Sequence, residues 1–350
     1  MAAEIVPGVP VGEAGGAAGA RAGAGLPAAG GRRRELPPGI VRAGCLAALV
    51  LLALLPAVLR QNYVVHVLSL AVIFAIAALG MQLLLGYAGL LSIGQAAFLG
   101  AGAYASALLT KQAHWPFAAA FAAAGLISAA LSLVLVPITR LRGIYLAVAT
   151  LGFTIIVHLV MTNEEWLTGG TLGVMGIPRP SFAGWTLRGD VAVYYLCLAV
   201  LAAVYAGIVR LADSRFGRAL QAVRLDEEAA RASGIDVTRV KSQCFVVAAF
   251  VTGLAGALFA HHAQYLNPND FTFWKSIEIL VMASVGGIGS LPGAIAGAFV
   301  VVILPEALRA VDQWRMVLFG ALLIAFMGLD PRGLAGLFTR AAIRLIEWRR

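Results

Sequence analysis

The residues able to do chemistry are few, and they are not spaced as a catalytic or metal centre. His66, His114, His158, His261 and His262 are scattered without a metal-binding pair spacing. His261 and His262 fall at an expected external helix end, where a hydrated imidazole carries no penalty. Cys45, Cys197 and Cys244 lie far apart, in or beside apolar runs, so zinc and disulfide frameworks are both disfavoured. No GxxxxGK[ST] loop occurs, so an ATP-driven step needs a separate subunit. What remains are polar residues within long apolar runs: Gln82, Ser92, Gln95, Thr154, Asn163 and Glu278. An ionisable group inside a membrane span is costly and points to function. Glu278 either lines a pathway or is hydrated or paired near the external interface, Lys275 being three residues away. Ser92 and Gln95 sit among glycines. They either bind a zwitterion together with exposed backbone or hydrogen-bond one helix to another.

The other concentration of chemistry is polar throughout. Residues 214–237, SRFGRALQAVRLDEEAARASGIDV, set Arg215, Arg218, Arg224 and Arg231 against Asp226, Glu227 and Glu228. Such a run between apolar segments stands in water, and its arginine excess assigns it to the cytoplasmic side. Good helix formers predict one helix over 218–232, ended by Gly234. Leu220, Val223 and Ala230 recur at helical spacing, giving one face able to dock.

The elements that hold these residues belong to a membrane. Of 350 residues, 61% are hydrophobic and 12% charged, against roughly half and a quarter in a soluble domain. The formal charge of +9 comes from arginines at membrane flanks, so no nucleic-acid partner is implied. Residues 1–41 are Ala, Gly and Pro with few large apolar side chains, and are expected to be a disordered cytoplasmic tail. The apolar run after Arg32, Arg33 and Arg34 has no A-x-A-like exit, and is read as a retained span rather than a signal peptide.

Spans are expected at 43–59, 64–85, 117–136, 144–161, 191–209, 244–262 and 316–329. Pro137 ends the third of these, and 163–190 and 264–275 form external loops. Two regions resist simple assignment. Residues 86–109 are dense in glycine, as a tightly packed helix or a broken one lining a cavity. Residues 276–304 are too long for one span and are interrupted by GGIGSLPG, so they form two half-length crossings or a broken helix. Gly86, Gly89, Leu91 and Ala96 are echoed by Gly286, Gly289, Leu291 and Ala296. Paired glycine-interrupted segments mark transport sites in secondary transporters. The expectation is an all-α, polytopic helical bundle over 42–330, with roughly eight to ten spans and both termini cytoplasmic. Residues 331–350 form a basic cytoplasmic C-terminus.

Glu228-Ala229-Ala230 with Gly234-Ile235-Asp236 resembles the EAA signature of bacterial ABC importer permeases. Gly217-Arg218-Ala219-Leu220, Ala222 and Arg224 extend the likeness to branched-chain amino acid permeases. GYAGLLSIGQAAFLGAGAYASALL from Gly86, RGIYLAVATLGF from Arg142, TGGTLGVMGIP from Thr168 and SIEILVMASVGGIGSLPGAIAGA from Ser276 are similar to further blocks of the LivM-like half of that family. Gln95 stands where its members often carry His. The resemblance implies a non-enzymatic, cofactor-free permease subunit in the bacterial inner membrane, importing leucine, isoleucine and valine. Urea or another small amide or amino acid is the alternative substrate, and a passive channel or secondary carrier the competing class. It further implies a LivH-like permease partner, two ATPase subunits, surrounding membrane lipid and a periplasmic or lipid-anchored binding protein. Arg218, Arg224, Glu228, Ala229, Ala230 and Gly234, within 213–241, are the implied ATPase-coupling residues. Gly86, Gly89, Ser92, Gln95, Glu278, Gly286, Gly287 and Gly289 are the candidate pathway.

Overall fold

The computed structural model describes residues 52–56, 62–141, 143–182, 185–187, 189–308, 320, 333, 334 and 336. The expected tail at 1–41 and the basic C-terminus at 331–350, apart from 333, 334 and 336, lie outside them. So do the spans at 43–59 and 316–329, apart from 52–56 and 320.

Helix α1 (Asn62–Gln82) is apolar on every face, and each residue from Ala71 to Gln82 is buried. A helix without a polar face belongs in the middle of a bundle. Its last turn, Leu83–Tyr87, widens to π geometry. After an irregular stretch come α2 (Gln95–Lys111), α3 (Phe117–Ser132) and α4 (Ile144–Asn163), then the short α5 (Glu165–Thr168). Pro137 does not end the third span. The chain continues past it as a 3₁₀ stretch, Leu133–Arg140, because a tighter helix tolerates the lost donor.

Helix α6 (Asp190–Ala212) leads to two short polar helices, α7 (Arg215–Leu225) and α8 (Glu227–Ala232). Then come α9 (Val237–Ala263), α10 (Phe273–Gly286) and α11 (Leu291–Ala307). Among the described residues, five helical segments are long and apolar enough to cross a membrane; α11 is a shorter apolar helix.

Small residues bring the central helices together. A Cβ at Gly102 on α2 would collide with the backbone of Gly253 on α9, and one at Gly256 would strike the Leu99 carbonyl oxygen. Ser128 Oγ on α3 donates to the Phe98 carbonyl at 3.0 Å. This close approach, with hydroxyls bonding across the contact, is how helices associate where lipid is as apolar as leucine. Helix α4 instead presents Ile155, Ile156, Leu159 and Val160 outward, as a lipid-facing surface does.

One end of the bundle carries the polar helices. The other carries two ribbons: β1 (Val174–Met175) pairs antiparallel with β4 (Tyr265–Leu266), and β2 (Ser181–Phe182) with β3 (Trp185–Thr186). His261, expected to be wet there, is 1% exposed. It bonds Ser106 Oγ at 2.8 Å and the Pro178 carbonyl at 2.7 Å, because the ribbons close over the end of α9.

Candidate functional site: a polar segment fastened to two breaks

The polar segment is not one helix. Asp226 adopts extended backbone between α7 and α8, and its carboxylate accepts from the backbone N–H groups of Glu228 and Ala229 at 2.8 and 3.1 Å. Aspartate is a strong N-cap, so it starts a second helix where helix propensity alone predicted continuation. Gly234, at φ +83°, ends α8. Its N–H bonds the Arg231 carbonyl and that of Ile235 bonds Ala230, a Schellman ending that favours glycine at this position.

Leu220, Val223 and Ala230 are 1, 2 and 4% exposed. The apolar face expected to dock does so on this chain's own bundle. A buried ion pair joins the segment to α9: Lys241, 2% exposed, meets the Glu227 carboxylate, itself 20% exposed. Sequence reading passed over this pair, since nothing in the apolar run around Lys241 marks its partner fourteen residues earlier.

Arg218 donates to the Asp213 carbonyl at 2.9 Å. Arg224 reaches back into the membrane bundle, where Nη1 donates to the Gly86 carbonyl at the π turn of α1. Gly89 (φ +69°) lies under the same side chain, and a Cβ there would stand 3.0 Å from Arg224 Cγ. An open polar notch of about 410 Å³ separates Ala88 and Gly89 from residues 223–228. Leu225, at the rim of the notch, is 87% exposed. Glu228, Ala229 and Gly234 are also exposed.

The two glycine-interrupted regions meet here. Residues 276–304 form two half-length helices folded back on each other, not one broken helix. Close backbone contacts at Gly286–Gly293 and Met282–Gly297 define the α10–α11 hairpin. Its turn, 287–290, is held by Gln82 of α1, whose Nε2 donates to the Gly287 carbonyl at 2.8 Å and to that of Ser290 at 3.3 Å. Gly86 abuts Gly289 so closely that a Cβ on Gly86 would stand 2.9 Å from the Gly289 nitrogen.

The irregular stretch 88–94 runs inside the bundle with its backbone bonded. Thr150 Oγ1 accepts from the Ile93 N–H at 2.9 Å and Thr154 Oγ1 donates to the Ile93 carbonyl at 2.8 Å. Ser92 Oγ accepts from Gly94 N at 3.2 Å, and Ser276 Oγ from Ala96 N at 2.9 Å. Non-helical backbone at membrane depth persists where protein partners satisfy it. Ser92 and Gln95 are 0% exposed, and Gln95 Oε1 accepts from Thr252 at 2.7 Å. Gln95 thus bonds across to α9, while Ser92 bonds the local backbone at Gly94. Glu278 pairs with Lys275 at 2.6 Å.

These features sit in a chain whose residues 63–327 match the family described as the branched-chain amino acid transport system / permease component. The chain belongs to that permease family. The permease is 33% identical over 324 residues to the high-affinity branched-chain amino acid transport system permease protein LivM of Salmonella typhimurium. That match covers 86% of this chain and 76% of the relative, and LivM of Escherichia coli matches to the same extent. It is also 34% identical over 126 residues to E. coli LivH, covering 35% of this chain and 40% of that protein. The autoinducer 2 import system permease protein LsrC of Klebsiella pneumoniae is 29% identical over 219 residues, 60% of this chain and 61% of that one. No solved structure matches the permease.

Proposed function

We propose that this chain is the LivM-like permease subunit of an ATP-driven importer that carries leucine, isoleucine and valine into the cytoplasm of a bacterium. A LivH-like permease pairs with it, two separate ATPase subunits dock beneath, and a periplasmic or lipid-anchored binding protein delivers substrate from the far side. Both termini lie in the cytoplasm. The relatives' names support the substrate, and the arginine excess of the polar segment supports the orientation.

The observation that carries the coupling role is the two-sided polar segment. Leu220, Val223 and Ala230 bind it to the bundle while Leu225 stands 87% exposed. An exposed leucine on a water-facing helix fits an ATPase groove, with Glu228, Ala229 and Gly234 around it. Arg224 then belongs to the inner side and passes the motion of α7 and α8 to Gly86 and the turn at Gly287 and Gly289. That motion separates the α10–α11 hairpin from α1 and opens the pathway alternately to each side.

The experiment is copurification of the ATPase with the permease pair, followed by leucine uptake in proteoliposomes with and without ATP. Copurification and ATP-dependent leucine uptake are the expected results. ATP-independent flux would instead make the protein a channel or carrier. A second substrate reading, urea or another small amide, shares every structural feature here, and LsrC illustrates that related permeases are named for other solutes. Binding of leucine, valine and urea by the cognate binding protein separates the two.

A further inference from the structure

Lys275 and Glu278 form an ion pair 2.6 Å long on α10, with side chains 25 and 34% exposed. Lys275 Nζ stands 4.8 Å from the centre of the Phe74 ring. Phe74 is close to the middle of the span Asn62–Tyr87, about 18 Å from its end at a rise of 1.5 Å per residue. The pair therefore lies deep within the span rather than at the external interface. Exposed charges at that depth do not face hydrocarbon; they face water, a polar solute or another subunit.

The surrounding face is otherwise apolar. Trp274 is 66% exposed, and Ile277 and Val281 are partly exposed on the same side of α10. A lysine and a carboxylate one helical turn apart, flanked by aliphatic surface, complement a zwitterion with a branched aliphatic side chain. The substrate carboxylate meets the ammonium, the substrate ammonium meets the carboxylate, and the side chain lies on Ile277 and Val281.

We propose that Lys275 and Glu278 form a binding station for the zwitterionic head of a free amino acid, on the face of α10 that lines the pathway between this subunit and its partner permease. This rests on the import function proposed above and adds the residues that hold the cargo. Lys275 has no counterpart among the pathway candidates drawn from sequence, because its depth is visible only through its contact with Phe74.

The test uses the complete importer, with partner permease, ATPases and leucine-loaded binding protein, in proteoliposomes. Glu278→Gln and Lys275→Met should each lower leucine uptake about tenfold or more, the scale of one lost charge-assisted hydrogen bond. Subunit composition and the ATP hydrolysis evoked by the loaded binding protein should stay at the wild-type level. Lys275→Arg, which keeps the charge, should retain uptake. Wild-type uptake by Glu278→Gln would overturn the proposal. So would loss of the partner permease from that variant, which would make the pair a tie between subunits. Absence of leucine uptake by the wild-type importer would overturn the import function itself, a result separate from either.

Discussion

Arg224 Nη1 donates to the Gly86 carbonyl, so a side chain of the polar segment is fastened to the last turn of a helix 138 residues earlier in the chain. The arginine sits beside Leu225, which is turned to solvent. One residue of the segment thus grips the membrane bundle while the next is offered to whatever lies beneath.

Removing that grip should uncouple the machine rather than dismantle it. Arg224→Ala loses a hydrogen bond from a charged donor, a contribution of about 2 kcal/mol. The ATPase should still copurify while leucine uptake falls at least tenfold, on the order that this energy allows. Arg224→Lys keeps the charge but not the planar fork, and should fall between the two. Loss of the ATPase from Arg224→Ala would place the residue on the outer face instead.

Leu225→Asp should give the opposite phenotype. Truncating a buried interface anchor costs about 2 kcal/mol or more, a weakening of roughly thirtyfold. The ATPase should wash off during purification while the permease pair remains in the membrane. Retention of the ATPase at the wild-type level would exclude Leu225 as an anchor.

Gly102→Val tests the packing of α2 on α9. A side chain there meets the Gly253 backbone, which cannot yield as a flexible side chain does. Overpacking of this kind costs about 1–3 kcal/mol. Thermal denaturation of the detergent-purified protein should show a clear drop in Tm. Leu126→Val, at a position 62% exposed on α3, should leave it nearly unchanged.

Lys241→Met should weaken the attachment of α8 to α9 by about 1.5–3 kcal/mol, the scale of one hydrogen bond between charged groups. Combining it with Glu227→Gln should recover part of the loss, and a double-mutant cycle in denaturant measures the difference. Strict additivity of the two changes would rule out a working pair.

The membrane class and the polar segment were legible because hydropathy and arginine placement act locally along the chain. The end of that segment was legible too, since only one glycine there suits a left-handed turn. Its division at Asp226 was hidden, because Glu, Ala and Arg on both sides favour helix and the cap works through a side chain. The burial of Leu220, Val223 and Ala230 was visible as a periodic face, but not what it would meet. The bonding of Ile93 and Gln95 depends on Thr150, Thr154 and Thr252, whose distances in sequence carry no pairing signal. Glu278 was visible as a charge in an apolar run; the placement of its partner Lys275 over Phe74 was not.

Helix α1 holds the hairpin turn through Gln82, receives Arg224 at Gly86, and ends at its other extremity in Tyr63, whose hydroxyl bonds Glu306 at the close of α11. Buried throughout from Ala71 to Gln82, it has little freedom to bend there, and about 35 Å separates Tyr63 from Gly86. The two ends of α1 are thus bonded to different parts of the chain, with one continuous helix between them. The subunit has an axle: the hairpin, the polar segment and the end of α11 are all bonded to one helix.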